Sequence, residues 1–492
     1  MLLSNLTARN KDIILRGGDV EIAGLSEDSR KIQPGFLFIA TPGTKQDGGA
    51  FIDDALARGA AAIMVPQDSP AADGLAARGV AVLTAPDLRD ATSALAASFY
   101  PGQPETVAAV TGTSGKTSTA QFAREIWQAL GHKSASIGTL GLVTAAGASY
   151  GSLTTPDAIT MHHLLDDCAR QGVTHAVVEA SSHGIELKRL DRVRMKAGGF
   201  TNLSRDHLDY HVTMDAYLAA KMRLFSTLLP PGAAAVINAD IPEYEAVAKA
   251  ARARGLNIIS YGAQGRELRL AARQPDARGQ ILSIEAFGKK QDVLFPVMGG
   301  FQAWNALCAA GLAIGSGADA AQTVAALEHV SGVPGRLQFI GTTATGGAVF
   351  VDYAHKPDAL ENVLRALRPH VAAHHGAKLG VVFGCGGNRD KGKRPIMGKI
   401  AAESADWVIV SDDNPRHEEA AVIRAEIMAG CAGANNVEDI GDRAAAIAAG
   451  IGKLKPHDVL VIAGKGHEPG QIVGDKVLPF DDAEEARKVL GI

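Results

Sequence analysis

Residues 106–118 read Thr106-Val107-Ala108-Ala109-Val110-Thr111-Gly112-Thr113-Ser114-Gly115-Lys116-Thr117-Ser118, and this stretch decides the fold. The run Thr106–Val110 is short and apolar, as in a buried strand. A helical pattern over Thr117–Leu130 follows it. Strand, glycine-rich loop and helix start together make the geometry of a phosphate cradle. Gly112 and Gly115 let the backbone turn tightly and bring N–H groups against phosphate oxygens, and the helix N-terminus adds partial positive charge. In that geometry Lys116 reaches the terminal phosphates, and Thr117 ligates Mg²⁺ through its hydroxyl. Val110 stands where the usual nucleotide loop has its first glycine. The bland alternative is a plain glycine turn before a helix.

Working outward, the chain has 492 residues. A soft prior of about 150 residues per domain predicts three domains. Apolar residues make up 46%, enough for large cores, while Lys plus Arg (49) against Asp plus Glu (53) leaves a formal charge of −4. That balance gives no reason to expect a nucleic acid or an anionic membrane as partner. Cys168, Cys308, Cys385 and Cys431 are far apart and form no CxxC pair. They read as free buried thiols of a reducing compartment. No apolar run approaches the roughly 18 residues that cross a bilayer, and the first residues lack a secretory pattern. The expectation is a cytoplasmic protein without membrane insertion.

The fold class expected is α/β in three domains. Residues 1–102 alternate short apolar runs with helical patterns, a small N-terminal α/β domain that ends at Tyr100-Pro101-Gly102-Gln103-Pro104. Two prolines and a glycine there cannot continue a helix. Residues 103–332 form the central domain, P-loop ATPase-like, with a mostly parallel sheet expected from strand–helix alternation. Short alternating segments at 265–297 read as an antiparallel appendage. After Ser331-Gly332-Val333-Pro334-Gly335, residues 333–492 read as a Rossmann-like C-terminal domain.

Several polar clusters sit where strands should end. Glu179 closes the apolar run of His175–Glu179 before Ser181-Ser182-His183. Ligands of open α/β sheets bind at carboxyl ends of strands, so Glu179 is placed to hold Mg²⁺, or only to cap the next turn. The dense polar stretch 201–211, which ends His207-Leu208-Asp209-Tyr210-His211, lacks HExxH and any cysteine partner, so it reads better as a polar loop beside a phosphate site than as zinc. Lys221 lies on a helical pattern and, from spacing alone, is an ordinary surface lysine. Farther on, Asp352-Tyr353-Ala354-His355, the glycine-rich 384–392 with Arg389, Asp413-Asn414-Pro415-Arg416, and Gly464-Lys465-Gly466-His467-Glu468 each follow an apolar run. Four polar loops at four strand ends converge on one edge. Arg389 and backbone N–H groups could bind phosphate or carboxylate there.

In this order, these motifs resemble the Mur ligase family, ATP-dependent enzymes that add amino acids to the peptidoglycan precursor. The resemblance runs along nearly the whole chain and also takes in Lys221, Asn305 and Pro334-Gly335-Arg336. Asp28-Ser29-Arg30 and Thr154-Thr155-Pro156 resemble the branch adding the third residue. Asp413-Asn414-Pro415-Arg416 is similar to the signature of enzymes that use meso-2,6-diaminopimelate rather than L-lysine. Diaminopimelate carries a second carboxylate, which the planar fork of Arg416 suits.

What the resemblance implies is specific. ATP and Mg²⁺ are the expected cofactors. ATP would meet Gly112, Thr113, Ser114, Gly115, Lys116, Thr117, Ser118, Asn305, Arg336, Asp352 and His355. Metal ligands would be Thr117, Glu179, His207 and Lys221, the last as a CO2-derived carbamate. Lys116, Glu179, His207 and Lys221 would be catalytic. UDP-N-acetylmuramoyl-L-alanyl-D-glutamate would be held by Ser29, Thr44, Lys45, Gln46, Thr154, Thr155, Ser181 and Arg189. Leu187 stands nearby, where relatives often carry glutamine. Diaminopimelate would meet Arg389, Asp413, Asn414, Pro415, Arg416, Gly464 and Glu468. A monomer is expected. A sister ligase and a non-catalytic nucleotide switch are the rival readings.

Overall fold

The computed structural model describes residues 1–492 apart from Arg9, residues 43–46, Tyr150, Ser152, residues 277–278, Ala373 and the side chain of Asp209. The expectations for Thr44, Lys45 and Gln46 therefore fall outside the described residues. The chain gathers into two compact units. The first holds Met1–Arg269, Ala286–Lys289 and Leu307–Val324, and the second holds Leu270–Glu285, Lys290–Ala306 and Ala325–Ile492.

In the first unit, β1 (Ile14–Arg16), β2 (Gly24–Ser26), β3 (Phe36–Ile39), β4 (Ala62–Pro66) and β5 (Ala81–Ala85) form a sheet in the order β1-β5-β4-β3-β2. All but β1 run parallel. Side chains alternate across a strand, so Leu37, Ile39, Met64 and Leu83 fill one core while Phe38, Ile63, Val65 and Val82 fill another. The helix Leu88–Phe99 adds Leu88 and Leu95 to the first core, and Ile159 of the helix Ala158–Arg170 completes it. Beside that contact, Ser93 Oγ donates to Lys188 O (2.5 Å), Gly102 N donates to Asp166 Oδ1 (2.7 Å), and Lys188 pairs with Asp87 (2.7 Å).

The second sheet of this unit contains β6 (Thr106–Thr111), β7 (Ser134–Gly138), β8 (Gly141–Thr144), β9 (Gly147–Ser149), β10 (His175–Glu179), β11 (Ala197–Phe200), β12 (Ala234–Asn238) and β13 (Asn257–Gly262). Their order is β13-β12-β11-β6-β10-β7-β8-β9. From β13 to β7 the pairs are parallel, and β8 and β9 extend the edge antiparallel. Connections leave β6 toward both edges, which opens a crevice at its carboxyl end. The glycine-rich loop occupies that position.

Next in the chain come β14 (Leu268–Asp276), β15 (Gly279–Ala286) and β16 (Lys289–Phe295). Phe287 and Gly288 both have positive φ (47° and 81°). That is a two-residue hairpin turn, so β15 and β16 run antiparallel as the alternating segments predicted.

The second unit is built on β17 (Gln338–Thr342), β18 (Ala348–Asp352), β19 (Leu379–Phe383), β20 (Trp407–Val410), β21 (Val437–Asp439) and β22 (Val459–Ala463). Their order is β17-β18-β22-β19-β20-β21, parallel except for β17. Phe350, Val381, Phe383 and Val461 face one core, and Val349, Val382, Ile409 and Leu460 face the other. Both faces are covered, which is why these strands read as unbroken apolar runs. A hairpin of β23 (Gly470–Val473) and β24 (Lys476–Pro479) follows. The helix Asp482–Leu490 is tied under the sheet by a fully buried ion pair, Arg443 to Asp482, with two bonds of 2.7 Å. Arg443 also donates to Ala463 O (3.0 Å) and Ser411 Oγ (3.1 Å). The four cysteines are free and buried, and among the described residues no helix is long and apolar enough to cross a membrane.

Candidate active site

Each unit carries its own constellation. In the first, β6 delivers the chain into the glycine-rich loop, and the helix Lys116–Ala129 begins directly after Gly115. Gly112 (φ 148°) lies so close to Thr201 that a Cβ would come within 1.9 Å of its Oγ1. Gly115 (φ 86°) takes the left-handed turn into the helix. The loop is braced from outside by the segment after β11. Thr113 N donates to Asn202 O (2.9 Å), Ser114 N to Asn202 Oδ1 (2.9 Å), and Thr201 Oγ1 to Ser114 O (2.6 Å). The dense polar stretch 201–211 thus lies beside the cradle, as its composition predicted. Ser118 is buried in the first turn of the helix.

Lys116 curls back over the loop and donates to Gly112 O (2.9 Å) and Thr113 O (3.0 Å). Thr117 Oγ1 donates to Glu179 Oε2 (3.0 Å). Glu179, at the end of β10 and 1% exposed, also accepts from Thr139 N (2.8 Å) and Thr139 Oγ1 (3.2 Å). Its carboxylate and the Thr117 hydroxyl therefore meet at one point.

Lys221 corrects the reading from spacing. It is no surface lysine: it is 1% exposed, its Nζ donates to Gly112 O (2.8 Å), and it sits 4.3 Å from the centre of the Tyr217 ring. Burial, then the Lys116 charge, pushes its amine well below the usual lysine range, against a smaller opposing pull from Asp206. Period alone cannot reveal this, because the helix Met214–Arg223 has an irregular apolar stripe and a lysine on it looks like any other. His207 is half-exposed, in left-handed backbone (φ 53°), with Nε2 3.6 Å from Asp206 and its ring 5.0 Å from His183. Among the described residues no three His, Cys, Asp or Glu side chains gather as a metal cluster.

Thr154, Thr155, Ser181 and Arg189 come together beside Glu179. Thr155 Oγ1 donates to Glu179 O (2.6 Å) and accepts from Ser181 N (2.9 Å), while Arg189 donates to Thr155 O (2.8 Å). Thr154 reaches Thr139 (3.2 Å), and Ser181 Oγ caps the helix Ser182–Glu186 by accepting from Gly184 N (3.0 Å). Leu187 follows that helix as its C-cap. Ser29 is buried in the short helix Ser29–Lys31, whose first turn Asp28 caps.

In the second unit the four strand ends do share one edge. After β18, Asp352 is buried and accepts from Leu337 N (2.7 Å); burial raises its carboxyl to about 6, against the opposing Arg336 charge. The Arg336 guanidinium lies 4.8 Å from the Tyr353 ring, with His355 and His467 on the same ring at 4.6 and 5.4 Å. Burial lowers both imidazoles to about 4, so they are neutral at pH 7. Asn305 is buried on the helix Gly300–Gly315 and donates to Gln302 Oε1 (2.8 Å).

Along the same edge, the loop after β20 carries Asp413, Asn414 and Pro415, all buried, and Arg416 in left-handed backbone (φ 53°). Arg416 donates to Gly387 O (3.0 Å), which seats its guanidinium against the glycine-rich loop; Arg389 is exposed on that loop. Glu468 accepts from Asn414 Nδ2 (2.9 Å) and Tyr353 OH (3.3 Å). Gly464 (φ 121°) lets the chain pass Asp413: a Cβ there would meet its Oδ2 at 2.7 Å. The sequence reading did not single out three supporting groups. Tyr353 organises the ring cluster, Thr139 holds Glu179, and fully buried Arg394 holds the 384–392 loop through Glu418 (3.0 Å) and Gly386 O (3.3 Å). That contact brings the Glu418 carboxyl down to about 2. Only the position of Tyr353 at a strand end gave any signal.

Residues 21–100 match the Mur ligase family catalytic domain, residues 110–313 the Mur ligase middle domain, and residues 335–466 the Mur ligase glutamate ligase domain. A UDP-N-acetylmuramoyl-L-alanyl-D-glutamate–2,6-diaminopimelate ligase of Bradyrhizobium diazoefficiens is 54% identical over 475 residues, 96% of this chain and 95% of that one. The protein of the same name from Mesorhizobium japonicum is 50% identical over 472 residues, again 96% and 95%. A solved structure of a ligase with that name superposes with a TM-score of 0.70 at 33% identity, covering 96% and 95%. Three domain matches in order, and identity of this level along nearly the full length, place the chain in the Mur ligase family.

Proposed function

We propose that this chain joins meso-2,6-diaminopimelate to the D-glutamate γ-carboxylate of UDP-N-acetylmuramoyl-L-alanyl-D-glutamate, with ATP converted to ADP and phosphate. The observation that carries the reading is the acceptor edge of the second unit. There Arg416 is seated against the glycine-rich loop and Glu468 faces Asn414. A fork-shaped cation and a carboxylate match the distal carboxylate and ammonium of diaminopimelate. L-Lysine would leave Arg416 without its anion. Arg389, Asp413, Asn414, Pro415 and Gly464 complete this pocket.

A carboxylate is a poor electrophile, so it is activated first. A γ-carboxylate oxygen attacks the ATP γ-phosphorus, the bond to the β,γ-bridging oxygen breaks, and ADP leaves. The diaminopimelate amine then attacks the acyl phosphate carbon. The tetrahedral intermediate expels phosphate and the amine loses a proton. The loop N–H groups and Lys116 hold the phosphates, and positioning with charge stabilisation supplies most of the acceleration. Thr117 and Glu179 offer adjoining oxygen ligands that fit Mg²⁺, with His207 and a Lys221 carbamate as further ligands. A bound Mg²⁺ would offset charge on the transferring phosphoryl group. An amine buried and held below its usual range is the neutral nucleophile that CO2 addition requires, which supports Lys221 as the modified residue.

Asn305, Arg336, Asp352 and His355 serve the nucleoside end of ATP. Ser29, Thr44, Lys45, Gln46, Thr154, Thr155, Ser181 and Arg189 serve the UDP substrate. Domains at 1–102, 103–332 and 333–492 share this work in a cytoplasmic monomer. The test is phosphate release from ATP with Mg²⁺ and the UDP-dipeptide, with diaminopimelate or L-lysine added. Strong stimulation by diaminopimelate alone is expected. Stimulation by lysine would discard the role of Arg416, and stimulation by neither would discard the reaction.

A further inference from the structure

Lys465 is a fully buried cation one residue from the proposed diaminopimelate pocket. Its Nζ donates to Asn414 Oδ1 (3.2 Å) and to Gly470 O, and lies 3.8 Å from Glu468 Oε2. Asn414 Oδ1 also accepts from Ile472 N (2.9 Å). With two donors on its oxygen, the amide of Asn414 has one orientation left, and its Nδ2 points at Glu468 (2.9 Å). The same lysine ties down the start of β23, and that strand in turn bonds Arg416, whose N donates to Ile472 O (2.9 Å). One ammonium thus fixes the amide, the hairpin and the charge beneath Glu468.

We propose that Lys465 is a positioning and specificity-determining residue of the amino-acid pocket, acting through Asn414 and Glu468. The inference rests on the diaminopimelate reading above. Specificity follows from charge. The distal head of diaminopimelate is a zwitterion, whereas that of L-lysine is a bare ammonium. Lys465 beneath Glu468 weakens the pull of that carboxylate on an unaccompanied cation, and so penalises lysine. It leaves the zwitterion well bound, because Arg416 takes the carboxylate.

The experiment is steady-state phosphate release by full-length Lys465→Met, Asn414→Ala and the double variant, with diaminopimelate and lysine as alternative acceptors. For Lys465→Met, KM for diaminopimelate should rise about ten-fold or more, the scale of one charge-assisted hydrogen bond. KM for ATP should stay within about two-fold, and the preference for diaminopimelate over lysine should narrow by about ten-fold. The double variant should be little worse than Asn414→Ala, because coupled residues are non-additive. An unchanged preference, an equal rise in the KM for ATP, or fully additive losses would overturn the proposal. If Lys465→Met does not fold, Lys465→Arg, which keeps the charge, is measured instead. It must retain the preference for diaminopimelate, and loss of that preference in folded Lys465→Arg would equally overturn the role. Wild-type protein that ignores diaminopimelate would sink the underlying function, and active wild type with an indifferent Lys465→Met would sink this inference alone.

Discussion

Lys221 shows how a single residue can be legible by kind and illegible by setting. Its helical spacing says surface; its 1% exposure and bond to Gly112 O say otherwise. A buried amine held below its usual range is a poor stabiliser, since burial opposes its charged form. Lys221→Met should therefore leave the melting temperature level or raise it, while activity falls by about a hundred-fold or more, as when one preorganised charged group is lost. A fall of several degrees in melting temperature would mark Lys221 as structural, and retained activity would remove it from the reaction. Asp352 offers a pH signature. Burial raises its carboxyl in the folded chain to about 6, above the ordinary aspartate value of 3.8. Its contribution is thus fully present below about pH 3.8 and is lost as pH rises through about 6. Asp352→Asn should gain melting temperature over wild type at pH 8 and little at pH 4. A pH-independent difference would assign the effect to packing. The placing of Glu179 and Asp413 at strand ends was readable from the apolar runs before them; the settings of Lys465 and Arg394 were not, because a paired buried cation leaves no periodic trace.

Among the elements, the parallel strands were legible from their apolar runs, since covering both faces removes polar alternation. The hairpin β23–β24 was not. Val477 and Leu478 are exposed, so nothing in their pattern marks a strand, and the pairing is secured instead by bonds to Asn414 and Arg416. The helix Asp482–Leu490 packs Ala483 and Ala486 into the core and is anchored there by the buried Arg443–Asp482 pair. Replacing Arg443 by Ala strands a buried carboxylate and should cost about 3–5 kcal/mol. The double change Arg443→Met with Asp482→Leu should recover part of that, read by urea unfolding. A single change costing under about 1 kcal/mol would mean the pair is dispensable.

At the scale of the whole molecule, the N-terminal sheet does not own its core alone, because Ile159 of the central segment completes it. Residues 88–99 should then lose amide protection together with β6 as urea rises, followed by hydrogen exchange. Ile159→Ala should uncouple the two, with the N-terminal residues exchanging first. Independent exchange already in wild type would refute the shared core. Which residues cross between units was not legible. Residues 270–285 and 290–306 neighbour central strands in sequence yet cluster with the C-terminal part, and only contacts made in three dimensions reveal that.

The strand order β17-β18-β22-β19-β20-β21 places the last of these six strands between the first two and the rest. Proteins are made from the N-terminus, and domains fold as they emerge from the ribosome. Here β18 and β19 must wait for residues 459–463 before they have a common neighbour, and the helix that clamps Arg443 comes later still. The loop at 111–118 can form early in translation, whereas the polar edge of the second unit must wait until β22 has emerged. A chain cut before residue 459 would therefore keep the glycine-rich loop at 111–118 and lack the finished edge that carries Asp352, Asp413 and Arg416.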